Sequence, residues 1–433
     1  MKATIQFRSD GKEVGTPFIV PPDISYDGLK DIFNSISNEG GEDGFELSFI
    51  VNHRVVANSL FDNCLAGTGV SLESLIQVEC IKQSSFLVKP VSRTASILSG
   101  HQGPILCCQF TSDGAILASG SGDRTVRIWD TSTNTSLKVL SGHTGYVLAL
   151  CWSPDNMSLA SGDSEGNIII WTRNGELKNR LSGHKKWITS LSWKPLKESY
   201  HLVSSSKDGS CRIWNVNSGL CEVSLSHLDS VTCVRWFELD TIVSVSHDRS
   251  VRLWDPTGKQ VKMLREHAHW INSISTSMDS FNRLKFDSLI GNKVSCPSKA
   301  YFATSSDDFT VNMISGELSA LVSKCTGHQG VVNHVAFSPN GKIIASASFD
   351  KSIKLWCGIS GKFLGNLRGH VGAVYQICWT ADSRYLLSCS KDATTKLWDV
   401  KTLKIKADLS GHKDEVYCVD WARQGDVAGS GGK

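Results

Sequence analysis

Short apolar runs separated by polar turns recur through most of the chain. Residues 105–140 show the pattern once, with apolar runs at 105–110, 115–119, 125–129 and 137–140. Runs of this length, with Gly, Asp and Ser in the turns between them, are typical of β-strands rather than helices. The pattern therefore predicts units of four antiparallel strands. One such sheet cannot bury both of its faces, so neighbouring units must stack against each other.

Marker residues show that this unit is an internal repeat. Eight histidines, most of them preceded by Gly, follow one another at spacings of 42, 41, 43, 40, 61, 42 and 42 residues. Most units also carry a Ser or Thr in the second run, an Asp four residues later and a Trp ten residues after the Ser. The histidines are His101, His143, His184, His227, His267, His328, His370 and His412. This is the WD-repeat pattern, and its eight histidines predict a mainly β fold with an eight-bladed propeller.

The repeated Ser, His and Asp are also the members of a hydrolytic triad. A nucleophile is needed once, whereas a hydrogen-bond network that fixes the geometry of strands and loops is needed in every blade. We therefore predict no catalytic residue and a structural network in each blade. The network residues of five units are His101, Ser119, Asp123, Trp129, His184, Ser204, Asp208, Trp214, His227, Ser244, Asp248, Trp254, His328, Ser346, Asp350, Trp356, His370, Ser388, Asp392 and Trp398. In the second unit, Glu165 is predicted to replace the Asp.

Two units depart from the pattern. In the fifth unit Ile314 stands where Trp is expected, and about 19 extra residues lie between Thr276 and Ala300, an insertion long enough to be functional or disordered. In the last unit Ser430 fits the pattern, but the chain stops before the expected Asp and Trp. We therefore expect a truncated copy, about ten residues short of its third strand. Its outer strand is predicted at about 93–98.

Residues 1–83 show no repeat. Strand-like runs at 4–8 and 17–20 form a predicted hairpin, and Asp27 is a candidate N-cap for a helix that places Leu29, Ile32, Phe33 and Ile36 on one face. Further strands are predicted at 45–51 and 75–81. This order predicts a small α+β ubiquitin-like domain over 1–83, a linker over 84–95 and the propeller over 96–433. Because the chain continues past the last strand, no free diglycine tail exists, and docking is expected rather than conjugation.

Charge and cysteine content narrow the classes of function. Residues 1–85 hold 6 basic and 12 acidic residues, whereas 86–433 hold 39 basic and 30 acidic residues. A net charge of +9 spread over the propeller is weak evidence for a polyanionic partner and also fits an ordinary solvated surface. No apolar run approaches the roughly 18–20 residues of a membrane span, and no secretory leader is evident. The 14 cysteines form no Cys-x-x-Cys pair, so they predict small buried side chains in an intracellular reducing compartment and no metal site within the chain.

An acidic ubiquitin-like module followed by this propeller resembles the Notchless family of WD-repeat ribosome-assembly factors. The most specific stretches are 345–356, 367–377, 305–310 and 411–417, and the resemblance covers essentially the whole chain. It implies a non-catalytic factor for maturation of the large (60S) ribosomal subunit precursor, in the nucleolus and nucleoplasm. The implied partners are precursor proteins and rRNA. The resemblance implies no membrane, no small-molecule substrate and a monomer outside the particle.

The same resemblance implies a mechanism. In the family, the ubiquitin-like domain docks to the metal-ion-dependent adhesion site of midasin, an AAA ATPase, and an acidic side chain completes the shell of a shared Mg²⁺ in trans. The matching residue is Glu73, with Glu79 and Glu46 as fallbacks. No cofactor is expected within the chain itself, and since it carries no P-loop, the ATPase must be the partner. The alternative is a WD-repeat adaptor in signalling, such as the Notch pathway, or in a ubiquitin-ligase complex.

Overall fold

The computed structural model divides the chain into two units, Met1–Leu87 and Val88–Lys433. It describes residues 3–9, 12–21, 24, 28–29, 31–33, 45–51, 54–55, 75–84, 91, 94–195, 200–237, 241–277, 301–316, 320–422 and 427–433. Most of the predicted insertion in the fifth unit, together with Asp27 and Ile36 of the predicted helix, lies outside these residues. No helix in the described part of the chain is long and apolar enough to cross a membrane.

The first unit is built on a five-stranded sheet. Its strands are β1 Ala3–Ser9, β2 Lys12–Val20, β3 Phe45–Val51, β4 Arg54–Val55 and β5 Leu75–Ser84, in the spatial order β2-β1-β5-β3-β4. Strand β1 pairs antiparallel with β2 and parallel with β5. Residues 28–29 and 31–33 are helical, and Leu29 and Phe33 are buried. Alternate residues of a strand face the same side of the sheet, so Ile5 and Phe7 of β1 lie on one face, and both are buried. On that face the Phe7 ring contacts the Phe33 ring edge to face, at 5.2 Å between ring centroids.

The second unit contains seven four-stranded sheets, each a meander of consecutive antiparallel strands. Blade 1 consists of β6 Ile105–Phe110, β7 Ile116–Ser121, β8 Thr125–Asp130 and β9 Thr135–Ser141, and blade 2 of β10 Val147–Trp152, β11 Ser158–Asp163, β12 Ile168–Thr172 and β13 Leu177–Leu181. Blade 3 consists of β14 Ile188–Trp193, β15 His201–Ser206, β16 Ser210–Asn215 and β17 Leu220–Ser226, blade 4 of β18 Val231–Phe237, β19 Thr241–Ser246, β20 Val251–Trp254 and β21 Gln260–Leu264, and blade 5 of β22 Ile271–Thr276, β23 Tyr301–Ser306, β24 Val311–Ser315 and β25 Ala320–Cys325. Blade 6 consists of β26 Val332–Phe337, β27 Ile343–Ser348, β28 Ser352–Cys357 and β29 Phe363–Arg368, and blade 7 of β30 Val374–Trp379, β31 Tyr385–Ser390, β32 Thr395–Asp399 and β33 Lys404–Leu409.

The hydrophobic core lies between blades rather than inside any one of them. Ala118 and Ile128 of blade 1 pack with Val147, Leu159 and Ile169 of blade 2, and all five are buried. Similar clusters join the later blades in sequence. The fourth strands are mostly exposed because they form the outer edge of each blade. Each blade therefore depends on its neighbours for burial, which is the physical basis of the repeat.

The predicted number of eight blades is wrong, because the described residues form seven four-stranded blades. The described residues after His412 form a two-stranded sheet, β34 Val416–Trp421 and β35 Ala428–Gly432. Counting histidines overestimates the number of blades, since His412 lies before the first strand and Ser430 lies in the second, and neither residue reports on a third or fourth strand.

The two-stranded sheet closes the ring between blades 7 and 1. Val419 donates its backbone N–H to Gln376 Oε1 at 3.2 Å, and the Phe110 N–H donates to Asp420 Oδ2 at 2.7 Å. The same type of bond joins complete blades, where the Trp152 N–H donates to Gln109 Oε1 at 2.8 Å. Strand β34 therefore takes the position of a first strand, next to the first strands of blades 7 and 1.

The predicted outer strand at about 93–98 is not formed by the described residues 94–98. Ile97 is 79% exposed, and the residues from Thr94 onward have no strand pairing. Thr94 Oγ1 instead donates a hydrogen bond to the Ser410 carbonyl at 3.1 Å. Within the described ranges, no third strand lies beside β35 with which this segment could pair.

Candidate functional site

The carboxylates predicted to meet a partner's metal ion lie in the first unit. Glu73 is outside the described residues. The backbone register pairs Glu46 of β3 with Gln83, and Glu79 of β5 with Ile50. The two fallback glutamates thus stand on neighbouring strands but four residue pairs apart. The backbone does not place them opposite each other.

In each complete blade, the marker residues meet in one hydrogen-bond network. In blade 1, His101 precedes β6, Ser119 lies in β7, Asp123 in the following turn and Trp129 in β8. His101 Nδ1 donates to Asp123 Oδ2 at 2.8 Å, and His101 Nε2 lies 2.8 Å from Ser119 Oγ. Trp129 Nε1 donates to the same hydroxyl at 2.8 Å. Four residues from four segments are thereby tied together.

The geometry of the network is nearly constant around the ring. The His Nδ1 to Asp Oδ2 distance is 2.7–3.2 Å in seven blades. The His Nε2 to hydroxyl distance is 2.6–2.9 Å in the same blades. The six blades with a Trp have an indole-to-hydroxyl distance of 2.8–2.9 Å. In blade 5, which has no Trp, the buried Ile314 takes its place.

The protonation state of the network follows from its donors and acceptors. A carboxylate can only accept, so the imidazole carries its proton on Nδ1, the hydroxyl donates to Nε2 and the indole donates to the hydroxyl. Burial would raise the pKa of Asp123, but hydrogen bonds from Thr125, the Gln102 N–H and His101 outweigh it and hold the pKa well below its usual range. Burial lowers the pKa of His101, which keeps the ring neutral.

The hydrogen bonds link Ser to His and His to Asp, as in a hydrolytic triad, but no substrate can reach the Ser hydroxyls. The Ser204 and Ser346 hydroxyls belong to residues with 0% exposure, and the indole of each network already binds the hydroxyl. A nucleophile needs access to a substrate carbonyl, and these hydroxyls have none. What the arrangement can do is fix the turn after the second strand, because the Asp123 side chain also accepts N–H bonds from Gln102 and Thr125.

Blade 2 differs from the sequence prediction. Asp163, not Glu165, accepts from His143 Nδ1, at 3.0 Å. Asp163 lies at the end of β11, two residues after Ser161, and its side chain reaches the position that the turn Asp fills elsewhere. Asn167 Nδ2 supports it from the other side at 3.1 Å. The prediction that Glu165 replaces the network Asp is therefore wrong. The signal that could have corrected it is Asp163, which stands two residues after the network Ser, where the other complete blades carry Ser.

A channel of about 530 Å³ runs among the first strands. Large aromatic residues lie at or near the ends of these strands and line the channel, among them Trp152, Trp193, Trp236, Trp379 and Trp421. Sequence reasoning did not single them out, although the recurrence of an aromatic residue near the end of most first runs could have shown them. Polar side chains also line the channel, including Arg235 and His334. Burial, and then the positive charge of Arg235, lower the pKa of His334 to about 4, so its ring is neutral.

The cysteines of the propeller lie largely inside the blades. Cys211, Cys233, Cys325, Cys389 and Cys418 are buried. Burial raises the pKa of Cys325 to about 11 and also raises that of Cys389, so both stay protonated. Within the described ranges, no group of three or more His, Cys, Asp or Glu side chains is arranged to hold a metal ion.

Comparison with known proteins gives consistent matches. The model of the WD domain, G-beta repeat, matches residues 92–130, 134–172, 175–215, 219–255, 319–357 and 361–399. The chain is 41% identical to Protein Notchless of Drosophila melanogaster over 78% of this chain and 76% of that protein. It is 39% identical to Ribosome assembly protein 4 of Saccharomyces cerevisiae over 77% of this chain and 73% of that protein. The crystal structure of the computationally designed Ika8 protein superimposes with a TM-score of 0.65 at 26% identity, covering 78% of this chain and 95% of Ika8.

Proposed function

The chain belongs to the Notchless family of WD-repeat proteins, and from that premise we propose that it is a non-catalytic assembly factor for the large ribosomal subunit precursor. The observation that carries the proposal is its 39% identity to a protein named Ribosome assembly protein 4, over about three quarters of both chains. The buried Ser, His and Asp sets support a role in binding rather than in catalysis. A nuclear and nucleolar location follows from the same proposal.

In this proposal the propeller is the anchor on the precursor particle. Its seven blades and the closing sheet form a scaffold whose loops can vary without loss of the core. The constant networks hold the turns between second and third strands, so the surfaces beside them are presented rigidly. Precursor proteins and rRNA would be the partners of these surfaces.

The first unit would be a ubiquitin-like docking domain. The strand order β2-β1-β5-β3-β4, with β1 parallel to β5 and helical residues packed on Phe7, supports that assignment. We propose that it docks to the metal-ion-dependent adhesion site of a midasin-type ATPase. Glu73 would supply a carboxylate oxygen to a Mg²⁺ held by the partner, since Mg²⁺ prefers oxygen ligands. Force produced by the ATPase would then act on the anchored propeller and release it.

A pull-down with the isolated midasin adhesion site tests the docking half of the proposal. The full chain should bind in Mg²⁺ and be released by EDTA, and Glu73→Ala should abolish binding. Glu46→Ala and Glu79→Ala serve as matched controls, and both should bind like the unmodified chain. Binding of Glu73→Ala at full strength, or binding indifferent to EDTA, would show that the Glu73 assignment is wrong.

A further inference from the structure

Two exposed tryptophans on the propeller have no role in the blade plan. Trp187 and Trp270 are 45% and 46% exposed, whereas the network residue Trp214 is 1% exposed. Each stands three residues after its blade histidine, directly before the first strand. The equivalent positions in the other blades are Pro104, Tyr146, Ser230, Val331 and Ala373. Since alanine, valine and serine all suffice there, the two indoles are not needed for folding.

The two indoles belong to one continuous arc across blades 3 to 5. The Lys207 N–H donates to the Trp187 carbonyl at 2.9 Å, and the His247 N–H donates to the Ser230 carbonyl at 2.9 Å. Ser230 Oγ donates to the Lys207 carbonyl at 3.3 Å and so links blades 3 and 4. The His247 ring stacks on Trp270, 4.5 Å away and inclined by 12°. We call these five residues, Trp187, Lys207, Ser230, His247 and Trp270, the aromatic arc.

Positive charge is concentrated at the blade 3 end of the arc. Lys207 Nζ lies 3.9 Å from the centroid of the Trp187 ring, and Lys185 and Lys186 are exposed directly before that residue. None of these three lysines forms an ion pair with any described residue. Further along the arc, Asp229 beside Ser230 and Asp307 in blade 5 place negative charge near His247, on which Lys207 also acts. A bound polyanion would therefore place its charges over blade 3.

We propose that the aromatic arc binds single-stranded RNA, with bases stacked on Trp187 and Trp270 and phosphates beside the three lysines. Aromatic faces next to unpaired cations are the arrangement that single-stranded nucleic acid uses, because every base has a face to stack and every phosphate a charge. The parallel His247–Trp270 pair is a stack that a base can extend. This inference rests on the proposed function, since a ribosomal precursor supplies the RNA.

Fluorescence anisotropy of the full chain with a labelled 12-nucleotide oligo-U strand tests the proposal. Trp187→Ala and Trp270→Ala should each weaken binding about five- to a hundredfold, the range for loss of one stacked base. The Phe variants should retain most of the affinity. Because Ala373 fills the equivalent place in blade 7, the Ala variants should melt at the temperature of the unmodified chain. Tyr146→Ala, a 51% exposed aromatic at the equivalent place in blade 2, is the matched control and should change affinity less than twofold.

Salt dependence and competing ligands complete the test. Replacing Lys185, Lys186 and Lys207 by Ala should reduce the slope of log Kd against log salt by about two, since single strands give about 0.7 per phosphate contact. A 12-base-pair RNA duplex should bind more weakly than the single strand. The proposal is overturned if the tryptophan variants bind RNA like the unmodified chain. It is also overturned if these variants keep their affinity for RNA but lose binding to an acidic peptide of Glu and Phe residues. Such a result would leave sedimentation with ribosomal precursors intact, so the two failures are distinguishable.

Discussion

Replacing Ser204 by Ala removes the hydroxyl at the centre of the blade 3 network. Ser204 is fully buried, accepts a hydrogen bond from Trp214 Nε1 at 2.8 Å and lies 2.8 Å from His184 Nε2. Alanine leaves the indole N–H and the imidazole nitrogen without a partner. A buried polar group that loses its partner costs about 1–3 kcal/mol, so with two such groups the free energy of unfolding should fall by about 2–6 kcal/mol.

Ser305→Ala is the matched control. Ser305 is also fully buried in the second strand of a blade, but its hydroxyl has no hydrogen-bond partner. Alanine there removes an unsatisfied polar atom of the same size. The free energy of unfolding should change by less than about 1 kcal/mol, and a small stabilisation is expected.

Urea unfolding followed by circular dichroism and by tryptophan fluorescence measures both variants. A double-mutant cycle with Trp214→Phe should show that the two losses are less than additive, because both break the same bond. If Ser204→Ala costs no more than Ser305→Ala, the hydroxyl does not hold the blade together, and the structural interpretation of the repeated Ser is refuted.

Three further predictions concern the networks and the ring. Asp163→Asn should destabilise blade 2 by about 1–3 kcal/mol in urea unfolding, whereas Glu165→Gln should have no measurable effect; the reverse order would restore the sequence prediction. Asp420→Ala should speed hydrogen exchange of the Phe110 amide while the Trp152 amide exchanges as before, because the Phe110 amide loses its acceptor and the Trp152 amide keeps Gln109 Oε1. Thermal stability should fall as the pH drops below about 6.5, since the pKa of His227 is lowered by burial, and fall more steeply below about 4, as aspartates whose pKa is lowered become protonated; a melting temperature constant from pH 7 to 4 would contradict this.

The repeat made much of the propeller predictable, because each unit serves as a comparison for the others. The recurrence of His, Ser, Asp and Trp at fixed spacing identified residues that the structure joins within 2.6–3.2 Å in blade after blade. The family resemblance is confirmed by the matches to Notchless proteins. Strand boundaries followed from the apolar runs, since turns with Gly and Asp separate them cleanly.

The errors arose where side-chain reach or strand number decides the outcome. Spacing alone favoured Glu165, but the carboxylate of Asp163 reaches the imidazole from two residues earlier. Counting histidines predicts eight blades, although the described residues of the last unit form a sheet of two strands. Among the strands that the structure describes, none lies beside β35 to pair with the segment expected to be an outer strand.

Surface features built from several blades could not be predicted from the sequence. Trp187, His247 and Trp270 are far apart along the chain, and only the ring brings them into one arc. The spatial order of blades follows the chain, but which loop residues touch across a blade boundary depends on side-chain geometry. The role of Glu73 stays a prediction, carried by the family resemblance alone.

Sedimentation of the full chain in cell extract through a sucrose gradient tests the central claim most directly. An assembly factor should travel with particles that contain precursor rRNA of the large subunit, and should leave them as salt rises, because contacts to phosphate are electrostatic. A chain that stays at the top of the gradient at low salt, free of precursor rRNA, would contradict the account and favour a signalling or ubiquitin-ligase adaptor.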